Sequence, residues 1–376
     1  MKKSAKLSLA LALMMGTTAG VNMVAPSSAS AEISDKFKLE VNGVTSYYHD
    51  TAHNYYGMTR TDNTRQGKGW NNYTRVVFNY YVDKDLSMHA RLHSNYDAAG
   101  DFAGNTNKTG AYFDQSYLQY HDRKNDLHYI LGKKGMTLGQ SMVYNSTGNL
   151  TGAQVSWGNW YDPRCVQLTY GDTNPVNTNY NKPNNGGGGN RVWSAQWTQA
   201  TSKATQLNAT YLRGEKLTEK GIKNHSSFID FGGKVKMHGW TIVGEWARNQ
   251  AGRNINGTNL VKRNQERQAW YAEIYTGPTN DFGSGLPNQK VGTHAFAVRW
   301  QDLGADGTYV HNNTFYDDKK GLRLDYGMVV KKGLSIDFVY GRMKDKGTST
   351  YNDKKYGNYK GQYSNIFVVS ANYKFK

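Results

Sequence analysis

Between residues 86 and 96 the chain alternates strictly: Leu86, Met88, Ala90 and Leu92 share one parity, and Ser87, His89, Arg91, His93 and Asn95 the other. Successive side chains of an extended strand point to opposite faces, so this segment reads as a strand with one apolar and one polar side. The two-residue period returns at 293–301, where Phe296, Val298 and Trp300 oppose Thr293, Arg299 and Gln301. It returns again at 321–331 (Leu322, Leu324, Tyr326 and Met328 against Arg323, Asp325 and Lys331) and at 334–340 (Leu334, Ile336, Phe338, Tyr340). No long stretch carries the period of an amphipathic helix. Extended along the chain, the pattern predicts strands at 37–48, 70–82, 86–97, 110–121, 127–134, 150–158, 164–171 and 190–200. It continues at 204–213, 226–237, 240–249, 266–277, 292–302, 321–331, 334–345 and 362–375.

The links between these strands fall into two sets. Short ones lie at 83–85, 122–126, 201–203, 238–239 and 331–333; long polar ones lie at 49–69, 98–109, 172–189, 215–225, 250–265, 304–320 and 346–361. Short and long alternate, as in an up-and-down barrel with tight turns at one rim and larger loops at the other. A propeller would show blade-length repeats, which the chain lacks. The predicted fold is therefore all-β: a transmembrane antiparallel up-and-down β-barrel of sixteen strands. One segment breaks the rule, because 278–291 (PTNDFGSGLPNQKV) is too long for the tight turn due there. Fourteen and eighteen strands stay open on that account.

Mean hydropathy is −0.76, which a barrel accommodates because only every second strand residue faces lipid. The 28 Tyr and 9 Trp suit strands and interfacial girdles. Cys165 is the single cysteine, which excludes an intramolecular disulfide. At the N-terminus, Lys2, Lys3 and Lys6 precede an apolar run from Leu7 to Met15, and small residues end in Ala29-Ser30-Ala31. These are the three parts of a secretory leader spanning residues 1–31, with cleavage expected between Ala31 and Glu32. The run is far short of the roughly 20 residues of a membrane helix. Net charge is +17 for the whole chain and +14 once the three leader lysines are gone. An exported chain without a nucleic-acid recognition motif directs that charge toward anionic solutes or anionic surfaces.

Two stretches, Leu131-Gly132-Lys133-Lys134-Gly135 and Met142-Val143-Tyr144-Asn145, are similar to the end of the fifth strand and the third loop of the Gram-negative outer-membrane general-diffusion porins. The strand and loop pattern resembles that sixteen-stranded family over nearly the whole of 32–376. The resemblance implies a water-filled channel for passive diffusion of small hydrophilic solutes, set in outer-membrane lipid as a homotrimer and holding no cofactor. It implies that 135–149 folds inward as a constriction, with Gly135, Met142, Tyr144 and Asn145 on it. The closing strand, with Phe367, Val369, Ala371, Tyr373 and Phe375 on one face, resembles the segment by which such barrels are recognised by the assembly machinery, with Tyr373 and Phe375 nearest the end. Here Lys376 follows the last aromatic. A second departure concerns charge: constriction loops of the family usually carry acids, whereas 135–149 has neither Asp nor Glu. A basic wall facing such a loop favours anions, since rings of Lys and Arg select them.

Parity assigns Arg75, Arg91, Lys134, Lys234, Lys236, Arg299 and Arg323 to the inner face, because a charge facing lipid near the midplane costs about 2–4 kcal/mol. Glu40, Asp230, Glu273, Asp325 and Asp337 fall on that face too. Val76, Phe78, Tyr80, Phe296, Trp300, Phe338 and Phe367 are expected outside, and Trp70, Trp160, Trp240 and Tyr373 near the interfaces. An inward aromatic track for carbohydrate has little support, Tyr81 being one of few aromatics with inward parity. His89 and His93 lie about 13 Å apart along one strand, too far to share a metal, so polar lining is their expected role. No catalytic motif is present, so an enzyme is not expected. Beside the diffusion channel stand two alternatives: a substrate-specific anion channel, and a plugged structural or adhesive surface barrel.

Overall fold

The computed structural model describes residues 35–50, 67–97, 110–158, 164–173, 190–217, 223–250, 254–255, 258–259, 267–280, 282–283, 285–304, 307–309, 315–316, 318–347 and 360–375. The leader with Ala31 and Glu32, the girdle candidate Trp160 and most of each long loop lie outside them. The strands are β1 (Phe37–Asp50), β2 (Gly67–Tyr81), β3 (Leu86–Asp97), β4 (Gly110–Asp122), β5 (Leu127–Leu138), β6 (Tyr144–Trp157), β7 (Arg164–Thr173), β8 (Asn190–Ala200) and β9 (Thr205–Leu217). They continue with β10 (Lys223–Met237), β11 (Trp240–Asn249), β12 (Asn254–Ile255), β13 (Thr258–Asn259), β14 (Gln268–Thr276), β15 (His294–Leu303), β16 (Lys319–Lys331), β17 (Leu334–Asp345) and β18 (Tyr363–Phe375).

All sixteen predicted strands are present and form one closed barrel, in which β11 pairs with β14 and β18 returns to β1. The closing register runs from Val41↔Phe375 to Asp50↔Ile366. β12 and β13 form a separate two-stranded ladder in the β11–β14 connection. The troublesome segment before β15 neither adds nor removes a strand. It contains a 3₁₀ turn at Leu286–Asn288 and tucks under the sheet, burying Phe282, Leu286 and Pro287. Leu286 lies against Gly327 of β16, and the Phe282 carbonyl accepts from Ser335 Oγ of β17 at 3.5 Å. Sixteen strands therefore stand.

Alternation translates directly into an apolar outside. Leu131, Leu168, Tyr170, Phe231 and Ile242 are exposed there, as are Phe296, Trp300, Phe338 and Phe367. A surface of this kind on a chain of such low hydropathy has lipid, not water, as its natural solvent. Trp70 and Trp240 are exposed near the starts of β2 and β11, at opposite rims of the barrel, where interfacial aromatics belong. Short turns are set by side chains that replace missing strand partners. Asp83 Oδ1 accepts from the amides of Asp85 (2.8 Å) and Leu86 (2.9 Å), which holds its carboxyl below the usual carboxylate range. Ser202 Oγ does the same for Ala204 and Thr205 at 3.1 and 3.0 Å, and Asp122 accepts from the Lys124 amide at 3.0 Å.

The seam between first and last strands has its own staple. Tyr373 of β18 lies over Gly43 of β1, where an added Cβ would meet the phenol oxygen at 2.4 Å. Its hydroxyl then reaches Thr74 Oγ1 of β2 at 2.6 Å, so one ring ties three strands together. Tyr373→Phe is expected to lower stability by about 0.5–1.5 kcal/mol, the net value of one hydrogen bond. Tyr373→Ala should lose more, since it also uncovers Gly43. Urea midpoints of the refolded barrel test both.

Candidate functional site

The β5–β6 hairpin leaves the wall and crosses the lumen. Its two strands stay paired beyond a break in register: Lys134 pairs with Leu150, but Met136 pairs with Ser146. Gly135 on one side and residues 147–149 on the other are left out of the ladder, and unequal insertions of this kind bend a ribbon. The sequence reading ended one strand at 134 and began the next at 150; the structure continues both as an inward-leaning ribbon, to Leu138 and from Tyr144. Its tip, 139–143, is received by the wall. The Gly139 amide donates to Gln196 Oε1 of β8 at 2.7 Å, and Gln140 Nε2 to Asn208 Oδ1 of β9 at 2.7 Å. The Met142 amide donates to Glu245 Oε2 of β11 at 3.0 Å, and Tyr271 Oη of β14 donates to the Gln140 carbonyl at 2.8 Å.

This anchorage explains where the acids are. The tip carries none, but it sits on Asp230 of β10 and Glu245 of β11, both buried. A Cβ on Gly139 would fall 2.0 Å from Glu245 Oε1 and 2.5 Å from Asp230 Oδ2, so the two carboxylates lie side by side beneath the tip. Gly139 also has φ +62°, a conformation that side chains disfavour. From above, the β15–β16 connection leans on the same hairpin. The Tyr309 amide donates to the Val143 carbonyl at 3.0 Å, and its ring stacks on Tyr144 at 5.9 Å between centroids. Met136, Leu138, Met142, Val143, Tyr144, Tyr271, Phe282, Leu286 and Phe315 thus join one buried apolar cluster inside the barrel. Gly135 and Asn145 are half-buried, and Thr137 Oγ1 bonds Asn145 Oδ1 at 3.4 Å.

Across the lumen, β2–β4 present a basic and aromatic wall. Arg91 donates to both oxygens of Asp114, Nε at 2.7 Å and Nη2 at 2.6 Å. Arg75 Nε donates to His93 Nδ1 at 3.0 Å, and the same nitrogen lies 3.2 Å from Asp114 Oδ2. The parity reading did not select Asp114. β4 shifts register between its pairs Arg91↔Gln115 and Leu92↔Phe113, which leaves Asp114 unpaired in the ladder and turned inward. Rings complete the wall: His93 lies between Tyr73 and Tyr112, each 5.4 Å away, and His89 stacks on Tyr117 at 4.5 Å. His89 bonds Asn79 at 2.8 Å and Gln115 at 2.9 Å, a polar lining role. Inward aromatics are therefore more numerous than the reading of Tyr81 implied.

The seven basic positions divide by partner. Arg91, Arg299 and Arg323 are held by carboxylates: Arg299 by Glu273 at 2.5 Å, and Arg323 by both oxygens of Asp325 at 2.9 and 3.0 Å. Arg75, Lys134, Lys234 and Lys236 have no carboxylate partner among the described residues; Lys134 donates to Gln154. Glu40 pairs with Lys374 at 3.1 Å, and Asp337 accepts from Asn372. Lys319, fully buried against Asp345 at 3.0 Å, lies at the start of β16, where alternation was too short to assign it.

A closed sixteen-stranded antiparallel barrel with a hairpin folded into its lumen is the fold of the outer-membrane porins. The chain is similar to OprB of Pseudomonas putida, solved at high pH, at 11% identity over 93% of this chain and 96% of that one, with a TM-score of 0.57. It is similar also to OmpF of Salmonella typhi, solved in complex with daunomycin, at 12% identity over 90% of this chain and 97% of that one, with a TM-score of 0.52. At these identities the likeness is one of fold. No protein-family model and no curated protein sequence matches the chain.

Gly139→Ala places a methyl group on Glu245 and in a strained backbone, at a cost of order 1–3 kcal/mol to the docked tip. The expected result is a larger or noisier single-channel current from an otherwise folded barrel. A current indistinguishable from wild type would show that the tip does not limit flow.

Proposed function

We propose that the protein is an outer-membrane channel for passive diffusion of small hydrophilic solutes, with anions preferred over cations, and that it performs no bond chemistry. The observation that carries this reading is the asymmetry of the lumen. Midway along β10–β16, the inward residues Asp230, Glu245, Glu273, Gln301 and Asp325 are buried on the side where the inward-folded segments lie. Those of β2–β4, such as Arg75, Asn79, His89 and Gln115, keep part of their surface open to solvent. A water path along the second wall, beside the hairpin, accounts for that difference. The leader read in the sequence and the apolar belt of the barrel support export to the outer membrane, with the tight turns toward the periplasm; the fold supports a homotrimer by analogy alone.

Anion preference follows from which charges remain unneutralised. Arg75 on the open wall, with Lys134, Lys234 and Lys236, has no carboxylate ion-pair partner among the described residues, and beneath the hairpin Glu245 accepts from the Met142 amide. Cationic linings lower the barrier to anions and raise it for cations. The plugged-barrel reading has one point in its favour, the apolar cluster inside the lumen.

Single-channel current across a planar bilayer under a KCl gradient separates these readings. Stepwise conductance with a reversal potential toward chloride is expected; no current from folded protein would favour the plugged barrel. Lys234→Gln with Lys236→Gln should move the reversal potential toward potassium. Asp114→Asn should move it the other way, because it releases the charge of Arg91. Arg299→Gln should leave selectivity near wild type, yet cost about 3–5 kcal/mol of stability because Glu273 is left buried and unpaired.

A further inference from the structure

We propose that His121, Asp126 and His128 form a three-ligand site for a divalent transition-metal ion of the zinc class at the tight-turn rim of the barrel. The site lies apart from the hairpin and the basic wall. β4 ends at Asp122 and β5 begins at Leu127, and in their register His121 stands directly opposite His128. The two imidazoles stack with centroids 3.9 Å apart and planes 12° from parallel; because each nitrogen's lone pair lies in its ring plane, the rings tilt toward each other when they share an ion. Between them in sequence, Asp126 takes a left-handed backbone conformation, φ +53°, at the end of the turn. That conformation brings its carboxylate back over the rings. Asp126 Oδ1 lies 3.5 Å from His121 Nε2 and 3.7 Å from His128 Nε2.

These separations are long for hydrogen bonds. They are close to the edge of a coordination tetrahedron, which is about 3.4 Å when each ligand sits about 2.0–2.1 Å from the ion. One ligating atom from each of the three residues lies within 4.8 Å of the others. A second observation points to a missing occupant: His121 Nε2 is buried and makes no hydrogen bond. A donor set of two imidazole nitrogens and one carboxylate oxygen suits Zn²⁺, with Ni²⁺ and Cu²⁺ as competitors, and is too poor in oxygen for Ca²⁺. Nearby charges are already engaged elsewhere. Arg123 pairs with Asp85, and Asp122 accepts from Lys124 and Asn125, so neither competes for the ion.

His89 and His93 fail as a site because one strand holds them apart. His121 and His128 succeed because a hairpin brings them face to face. Three protein ligands leave a fourth position for water or for an anionic group of a passing solute. On the channel reading above, the ion would add positive charge to the periplasmic mouth.

The test is calorimetric titration of Zn²⁺ into the full-length refolded barrel, purified without a histidine tag, with Co²⁺ absorption as the readout of coordination. One ion per chain and a four-coordinate cobalt spectrum are expected. His121→Gln and His128→Gln should each weaken binding by more than the 10–100-fold that changes outside the first coordination sphere cause. Asp126→Asn should weaken it less, since the amide oxygen can still coordinate without its charge. His89→Gln with His93→Gln should leave the titration unchanged, and an unchanged far-ultraviolet circular dichroism spectrum shows that each variant folds. Absence of saturable binding to wild type overturns the site, as does binding that survives His121→Gln with His128→Gln. The titration reads binding without current, so its failure and that of the channel reading are distinguishable.

Discussion

Closure is the constraint on which the rest of this structure depends. In hydrocarbon no water is available to an unpaired amide or carbonyl, and each one left open costs several kcal/mol. A sheet that crosses a membrane must therefore have no edge. The pairing of β18 with β1 over ten residue pairs removes the last one. From this follow the even strand count, the shared rim of both ends of the described chain, and the outward display of apolar side chains. Tyr373 reinforces the seam where chain connectivity gives no help, because β1 and β18 are neighbours in space and as far apart as possible in sequence.

A closed wall of this size encloses more space than its own side chains fill. The protein fills part of it from three directions: the β5–β6 hairpin, the β15–β16 connection and the segment before β15. All three settle on the β8–β17 side, where the inward face offers apolar residues such as Val192, Leu212, Phe228, Val243 and Ala297. Inward-facing apolar residues at these positions would be a poor lining for a water path, yet they make a floor for Met142, Tyr144, Phe282 and Leu286. Among the polar inward residues on this side, Gln196, Asn208 and Glu245 receive the tip. Asymmetric filling leaves the opposite wall, with its arginines, histidines and tyrosines, as the surface that meets solvent.

The fold was largely legible in the sequence because its two determinants are local. Alternation sets which face of a strand is apolar, and link length sets which rim it turns at. What alternation can supply for the site is likewise a face, and the faces of Arg299 and Arg323 are read directly from it. It cannot supply a partner. Glu273 neutralises Arg299 through a cross-strand contact that depends on register, whereas Asp325 meets Arg323 two residues along the same strand. Nor can it survive a bulge. Asp114 sits where β4 gains one residue against β3, so parity counted from either end of that strand is right for only half of it. The same difficulty hid the continuation of β5 and β6, whose ladder resumes only after unequal insertions. The 278–291 anomaly was visible as a length, but its cause, an apolar turn folded under β16 and β17, is a tertiary contact.

His121 and His128 show the complementary case, in which a tight turn makes register predictable. Once a short link joins two strands, residues equally distant from its centre must face each other. The spacing of these histidines about 123–126 therefore fixes them as a cross-strand pair whatever the rest of the barrel does. Polar lining at a pore rim needs no such pairing, and two imidazoles stacked face to face gain little that one could not provide. The acid at the turn distinguishes the arrangement further. Asp83 and Asp122 use their carboxylates to hold the amides of their own turns, the ordinary work of an acid in that position. Asp126 instead directs its carboxylate back toward the two rings, at distances longer than hydrogen bonds and suited to an ion between them. A turn acid released from turn-making and aimed at paired histidines has the geometry of a ligand set.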